Sequence, residues 1–192
     1  ALTGMVPMKQ DTPHLPVTPE EIAKDVLRCH NAGASIFHLH ARDQQGQPAY
    51  HPDIYREIIQ QIQATCPDDL ILCVSTSGRT CPAFEQRSEV LDLEPPFTPD
   101  MASLTLGSLN FPQQTSVNTP NIIVQLAQKM RSHNISPELE IFEPGMIDYG
   151  HYLIRKGILK PPFYFNLLLG SLGTSAATPD NLVHMVNKLP DG

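Results

Sequence analysis

No apolar run in this 192-residue sequence approaches the ~18 residues that a membrane helix needs. The N-terminus also lacks the charged-then-apolar pattern of a signal segment. Basic residues are scarce: 13 Lys and Arg stand against 20 Asp and Glu, for a formal net charge of −7. A general nucleic-acid binder rests on basic patches, so that class is excluded. Cys29, Cys66, Cys73 and Cys81 make neither a C-x-x-C pair nor a disulfide-type spacing, and they read as reduced thiols of a cytoplasmic protein. No Gly-x-Gly-x-x-Gly follows the first strand, which weakens a dinucleotide-binding reading. No G-x-S-x-G elbow surrounds Ser75, so nothing marks it as an activated nucleophile.

Helix starts, by contrast, are plain. Thr18-Pro19-Glu20-Glu21 is a capping box with proline at the first helical position. Ile22, Val26 and Cys29 then recur at helical spacing until Asn31-Ala32-Gly33 closes the turn. ASIFHLHA reads as a strand, and DQQGQPAYHP as turns. A second helix carries Ile54, Ile58, Ile59 and Ile62 on one face, and LILCVST (70–76) is a short buried strand. The alternation continues with a helix around Phe84–Leu91, strand MASLTL (101–106), and a Thr119-Pro120 cap leading into Ile122, Ile123, Leu126 and Met130. Strand LEIF (139–142), a helix near Ile147–Lys156, strand FYFNLLL (163–169) and a third cap at Thr178-Pro179 complete the run. ALTG at the start reads as the tail of a strand, giving six strands. NKLPDG at the end reads as a finished helix with another strand to follow. The chain is therefore expected to be C-terminally incomplete.

Strands alternating with helices predict a parallel sheet with right-handed crossovers. An open doubly wound sheet and a TIM (β/α)8 barrel both fit. Polar residues gather late on several strands: His38 and His40, Ser75, Ser103 and Thr105, Glu140, Asn166. An open sheet covered on both faces reads as more uniformly apolar, whereas polar residues converging from strand ends suit a barrel mouth. A single barrel domain over 1–192, about six of eight units long, is the expectation.

FHLHARD (37–43) concentrates the chemistry. His38 and His40 lie at i and i+2, on one face of a strand, and burying two imidazoles side by side is costly unless something satisfies them. With Arg42 and Asp43 following, the pair favours a metal over a hydrogen-bonded pair inside the sheet; imidazole suits zinc. Glu140 aligns at period 2 with Glu138 and Phe142, and on an inward face its carboxylate needs a cation or a salt-bridge partner. Glu143 falls one step past the strand, as a loop residue. STSGR (75–79) offers hydroxyls and N–H groups to an anion, or simply forms a strand-to-helix turn. Arg79 is expected to meet an anionic substrate tail or to be solvated on a surface loop. His30, His151 and His184 fall in helical stretches near the surface.

The motifs LPVTPEEIA, AGASIFHLHARD, VSTSGR, PDMASLTLGSLNF and PELEIFEPGMID run in that order through Ala1–Gly192. Together they resemble the β-keto acid cleavage enzymes. The resemblance implies a TIM barrel with Zn2+ at its C-terminal mouth and a homo-oligomeric assembly. It implies a transferase reaction in which a β-keto acid and acetyl-CoA give acetoacetate and a new acyl-CoA. It implies that His38 and His40 hold the zinc and that Ser75 supports the catalytic base. It further places Ser103 and Thr105 at the substrate's carboxylate region and Glu140 near the substrate side chain. Where members acting on an amino-substituted substrate carry a glutamate near the first strand, this chain has Val6. That departure implies a less polar or differently charged β-keto acid. The family's third zinc ligand, a glutamate, and its Arg and Asp catalytic partners are implied to lie beyond Gly192. Metal-dependent amidohydrolases also use H-x-H on an early barrel strand, but they need further histidines where this chain offers Glu140 and Asn166. Cupins are all-β, which the capped helices exclude. A metal-binding barrel fragment without catalysis stays open, and a Glu-Asp pair after Gly192 is the feature that discriminates.

Overall fold

The structure, a computed structural model, describes residues 1–190. These residues divide into two units, Ala1–Thr76 with Glu85–Ala102, and Ser77–Phe84 with the chain from Ser103 onward.

In the first unit, α1 (Pro19–Asn31) starts at the expected capping box. The Thr18 hydroxyl accepts from the Glu21 N–H at 3.2 Å, and the Glu21 carboxylate accepts from the Thr18 N–H at 3.3 Å. Strand β1 (Ile36–Leu39) follows, then a two-stranded antiparallel ribbon of β2 (Ala41–Arg42) and β3 (Pro48–Ala49). Helix α2 (Pro52–Thr65) buries Tyr55, Ile58, Ile59 and Ile62 and packs on α1, whose buried face is Ile22, Ala23 and Val26. Strand β4 (Ile71–Val74) lies parallel to β1, with Ile36 opposite Ile71 and Leu39 opposite Val74. A short α3 (Phe84–Ser88) runs into a 3-10 turn at Glu89–Asp92. Strand β5 (Met101–Thr105) then pairs in parallel with β4 through Cys73↔Met101 and Val74↔Ala102. All five residues of β5 are buried, as parallel strands covered on both faces require.

The last three residues of β5 belong to the second unit, beside β8 (Ser136–Ile141). Between them come a small ribbon of β6 (Leu109–Asn110) and β7 (Thr115–Ser116) and helix α4 (Pro120–Ser132), N-capped by Thr119. Helix α5 (Pro144–Arg155) leads to β9 (Tyr164–Leu167), parallel to β8. Helix α6 (Pro179–Val186) is capped by Thr178. Gly150 on α5 is packed closely: a Cβ there would sit 3.2 Å from Leu106 Cδ1 and 3.5 Å from the Phe165 ring. A residue without a side chain lets the helix approach the strand layer.

The α/β alternation is as expected, with three corrections. Ala1–Gly4 form no strand. Thr3 donates its hydroxyl to the Pro16 carbonyl at 2.9 Å, and Gly4 turns the chain at φ +69°. Five strands, not six, therefore pair in parallel among the described residues. Strand β8 begins three positions before LEIF, because Ser136 and Pro137 stay extended ahead of the buried pair Glu138-Leu139. Helix α5 begins at Pro144 rather than near Ile147, since proline at the first helical position is preset for the turn. The strand expected after NKLPDG falls on and past Asp191-Gly192, outside the described residues. Among the described residues no helix is long and apolar enough to cross a membrane.

Glu21 ties this α1 start to the ribbon side of the unit, because Lys9 Nζ donates to its carboxylate at 2.7 Å. That bond holds the carboxyl below its ordinary range; partial burial opposes it, and the Val17 and Thr18 amides add to the lowering. A carboxyl depressed in the folded state contributes stability above its unfolded pKa, and the contribution fades as pH falls through the folded value. Glutamine at this position keeps the cap but not the charge. The stability advantage of wild type over Glu21→Gln is thus expected to be present at about pH 7 and to be smaller at about pH 3. Urea unfolding at the two pH values checks it; an advantage unchanged by acid would show that the charge contributes nothing.

Candidate functional site

Strand β1 ends at Leu39, so His38 sits inside the strand and His40 immediately after it. The two rings share a face as the i, i+2 spacing requires. They stack with centroids 4.7 Å apart at an interplanar angle of 23°. Across from His38, in direct register on β4, is Cys73. Its buried thiol sulfur and a ring nitrogen of His38 lie within 4.8 Å of each other. Sequence reasoning placed Cys73 only as a reduced thiol; its position opposite a histidine depends on strand register, which no local pattern reveals. No disulfide is formed by the four cysteines.

Ser75 is the first residue after β4 and is buried. Its N–H donates to the Leu39 carbonyl at 3.2 Å, extending the β1–β4 ladder by one step. Its own carbonyl accepts from the Tyr55 hydroxyl at 3.4 Å. Complete burial pushes the Tyr55 phenol above its ordinary range, so it remains a neutral donor that fixes the Ser75 backbone from below. Tyr55 is a positioning residue that the helix pattern of α2 concealed among its isoleucines.

Arg42 and Asp43 do not extend the histidine pair, contrary to the weight given them in the sequence. Buried Arg42 donates through Nη2 to the carbonyls of Gly4 at 2.7 Å and Pro7 at 3.0 Å, and through Nη1 to Gly46 at 3.1 Å. The Asp43 carboxylate accepts from the N–H groups of Gln45 and Gln47. Both residues organise the turn between β2 and β3 and the segment that crosses it.

The second unit carries its own polar cluster. Ser103 and Thr105, two apart on β5, share one face and are both buried. The Thr105 hydroxyl donates to Glu140 Oε2. Glu140 stands opposite Asn166, whose Nδ2 donates to Glu138 Oε1 at 2.8 Å. Glu138 is 5% exposed, so this neighbouring carboxylate, which the sequence offered only as an alignment partner of Glu140, is the more deeply buried of the two. Arg79 is not a solvated loop residue: its guanidinium lies 3.5 Å above the Phe111 ring centroid, a cation–π contact. Glu143 is the N-cap residue of α5 and accepts from the Ser175 hydroxyl at 2.9 Å. His30, His151 and His184 lie in α1, α5 and α6 as expected, and His151 Nε2 is 2.7 Å from the Lys188 carbonyl.

The donor chemistry of the first cluster fits zinc. Imidazole nitrogen and thiolate sulfur are its common ligands, and the rigid ladder between β1 and β4 presents them. A sequence model described as beta-keto acid cleavage enzyme matches residues 1–192. Two proteins named 3-keto-5-aminohexanoate cleavage enzyme, from Acetoanaerobium sticklandii and Fusobacterium nucleatum, are each 35% identical to this chain. The matches cover 99% and 100% of it and 68% of either relative. A 3-oxoadipate:acetyl-CoA acetyltransferase from Cupriavidus necator is 34% identical over 88% of this chain and 58% of its own length. The solved binary complex of ObcA with oxaloacetate has the same fold. Its TM-score is 0.75 at 22% identity, covering 92% of this chain and 47% of that one. The chain thus spans about two thirds of the first curated relatives and about half of the solved structure.

Arg42 offers a stability test of the scaffold beside the histidines. Truncation to alanine removes three hydrogen bonds from a charged donor to the part-buried carbonyls of Gly4, Pro7 and Gly46 and is expected to cost roughly 1–3 kcal/mol. Lysine, a single point donor in place of a planar fork, is expected to recover less than half of the loss. Denaturant midpoints of the three proteins decide, and full recovery by lysine would show that the fork geometry is irrelevant.

Proposed function

The chain belongs to the beta-keto acid cleavage enzyme family, and on that premise we propose that it condenses a β-keto acid with acetyl-CoA, giving acetoacetate and a new acyl-CoA with the aid of Zn2+. The observation that carries the reading is the His38–His40 stack at the end of β1, two convergent imidazoles at the C-terminal end of a parallel strand. We place the whole protein in a TIM barrel acting as a homo-oligomer in the cytoplasm, with one barrel domain running through this chain.

In this reading His38 and His40 hold the zinc, which when bound supplies a Lewis acid to the substrate's carbonyl oxygen. Ser75 supports the catalytic base; its backbone is fixed at both N–H and carbonyl, so its hydroxyl is presented from a rigid point. Ser103 and Thr105 receive the substrate carboxylate. The Thr105 hydroxyl donates a hydrogen bond to Glu140 in this structure, and binding substrate exchanges that acceptor for the substrate's carboxylate at little net cost in hydrogen bonds. Glu140 faces the substrate side chain. The reaction balances: the bond between the keto carbon and its neighbouring CH2 breaks, the acyl group passes to the thiol of CoA, and the acetyl group takes its place on the CH2-carboxylate fragment.

Val6 is 55% exposed and has no charge to offer an ammonium group. Relatives named for amino-substituted, dicarboxylic and dioxo substrates support a family in which the acyl group varies. We assign this chain a neutral or anionic β-keto acid.

Metal analysis of the purified protein is expected to give about one zinc per chain, lost in the His38→Ala/His40→Ala double variant. A folded wild-type protein that takes up no zinc even when it is supplied would overturn the reading. In assays with acetyl-CoA, neutral or anionic β-keto acids are expected to outrun 3-keto-5-aminohexanoate by at least roughly tenfold, about the 1.4 kcal/mol that one lost charge contact represents. Equal rates on both would refute the substrate assignment and leave the reaction class standing.

A further inference from the structure

We propose that Arg87 is a positioning residue for Ser75: its guanidinium holds the turn after β4 so that the Ser75 hydroxyl is presented in one orientation. The inference rests on the reading above in which Ser75 supports the catalytic base. Strand β4 ends at Val74, so the chain leaves the sheet at the residue that the chemistry needs. Three successive peptide groups are nevertheless held from three directions. The Ser75 N–H donates to the Leu39 carbonyl on β1 at 3.2 Å, and the Ser75 carbonyl accepts from Tyr55 on α2 at 3.4 Å. The Thr76 carbonyl accepts from Arg87 Nε, eleven residues later on α3, at 2.6 Å. Peptide groups are planar, so fixing the planes on either side of Ser75 sets its φ and ψ and hence the direction of its Cα–Cβ bond. The third plane sets the exit of the turn and keeps the other two from pivoting.

Burial sharpens the argument. Arg87 is 1% exposed, and Thr76 is as deeply buried. Taking a guanidinium out of water is costly, and packing alone would be served by methionine. What arginine adds is a charged N–H donor on a long stem, which makes a shorter and stronger bond to a carbonyl than neutral donors do. The Tyr55 bond, at 3.4 Å, is long and neutral and does not hold the turn alone. A carbonyl buried this deeply depends on its donors. Removing Arg87 therefore lets the turn pivot and the Ser75 side chain sample orientations that the chemistry does not use. Misplacing a reacting or supporting group by about 1 Å costs a rate factor of roughly a hundred.

Substitutions at this position separate the bond from the charge. Arg87→Gln keeps an N–H donor the same number of bonds from Cα as Nε, without the charge. Arg87→Lys keeps the charge and moves the donor one atom outward. Arg87→Met fills the space with neither. Amide exchange followed by mass spectrometry reads the turn without recourse to activity. Over residues 74–80, Arg87→Met is expected to exchange at least roughly tenfold faster than wild type, as the loss of one charge-assisted bond implies. Arg87→Gln is expected to exchange at close to the wild-type rate. In the zinc-loaded full-length protein, Arg87→Met is expected to lower kcat by roughly ten- to a hundredfold while leaving KM near its wild-type value. On a Ser75→Ala background the same change is expected to cost nothing more. Unaltered exchange in Arg87→Met would refute the hold on the turn. Losses that simply add to those of Ser75→Ala would show that Arg87 serves folding alone, and would overturn the proposal while leaving the reaction standing. Rescue by lysine rather than glutamine would assign the effect to charge and overturn it as well. Full activity in Ser75→Ala would remove the role on which the inference rests, and the proposal with it. A wild type that turns over no β-keto acid would overturn the reaction reading and Arg87's part in it. Should Arg87→Met not fold, the order of glutamine above lysine in both readouts decides, and the reverse order refutes the proposal.

Discussion

The register of β1 against β4 is the constraint on which the first unit depends. Four consecutive pairs, from Ile36↔Ile71 to Leu39↔Val74, decide which side chains face each other. Because side chains alternate along a strand, a slip of one residue would exchange every face. Phe37 and Leu39 would leave the core, and His38 would lose Cys73 as its neighbour. The apolar pattern forbids that slip: Phe37 and Leu39 on one strand and Leu72 and Val74 on the other are all buried. The hydrophobic effect on one face of the strand thus positions the donors on the opposite face. Asp100 reinforces the arrangement at the entry of β4, where its carboxylate and N–H bond the Leu72 N–H and carbonyl. Tyr55 and Ser75 do the same at its exit.

The second unit solves a different problem, the burial of two carboxylates on one strand face. Glu138 and Glu140 repel each other, and each needs a donor before burial is tolerable. The donors come from the flanking strands, Asn166 for Glu138 and Thr105 for Glu140. The two bonds run in opposite directions from β8, one towards β9 and one towards β5.

Much of this was legible in the residues themselves. The Thr-Pro caps at 18, 119 and 178 located three helix starts because the cap is local chemistry: a hydroxyl, a proline φ and an N–H within one turn. The shared face of His38 and His40 followed from strand periodicity alone. What escaped was contact between strands. That Cys73 faces His38 was hidden because the two lie 35 positions apart in sequence, and the roles of Tyr55 and Arg42 are set by the backbone carbonyls of distant loops. ALTG failed for a related reason. A strand exists only with a neighbour to pair with, and four residues of suitable composition say nothing about whether one is there. Arg79 was misjudged because a charged residue in a loop carries no mark of the aromatic ring it covers.

These two kinds of legibility bear on how the site could vary. Residues defined by local patterns, such as the H-x-H pair, are tied to the strand that carries them, since moving either by one position breaks the shared face. Residues recruited across strands are held only by register, and any side chain of suitable size at position 73 would satisfy the packing. In the proposed reading the acyl-group end of the substrate meets Glu140, a residue of this second kind. The relatives' names differ in the acyl group while several retain acetyl-CoA. Such a division follows if the histidines belong to the common chemistry and the cross-strand positions to the choice of substrate.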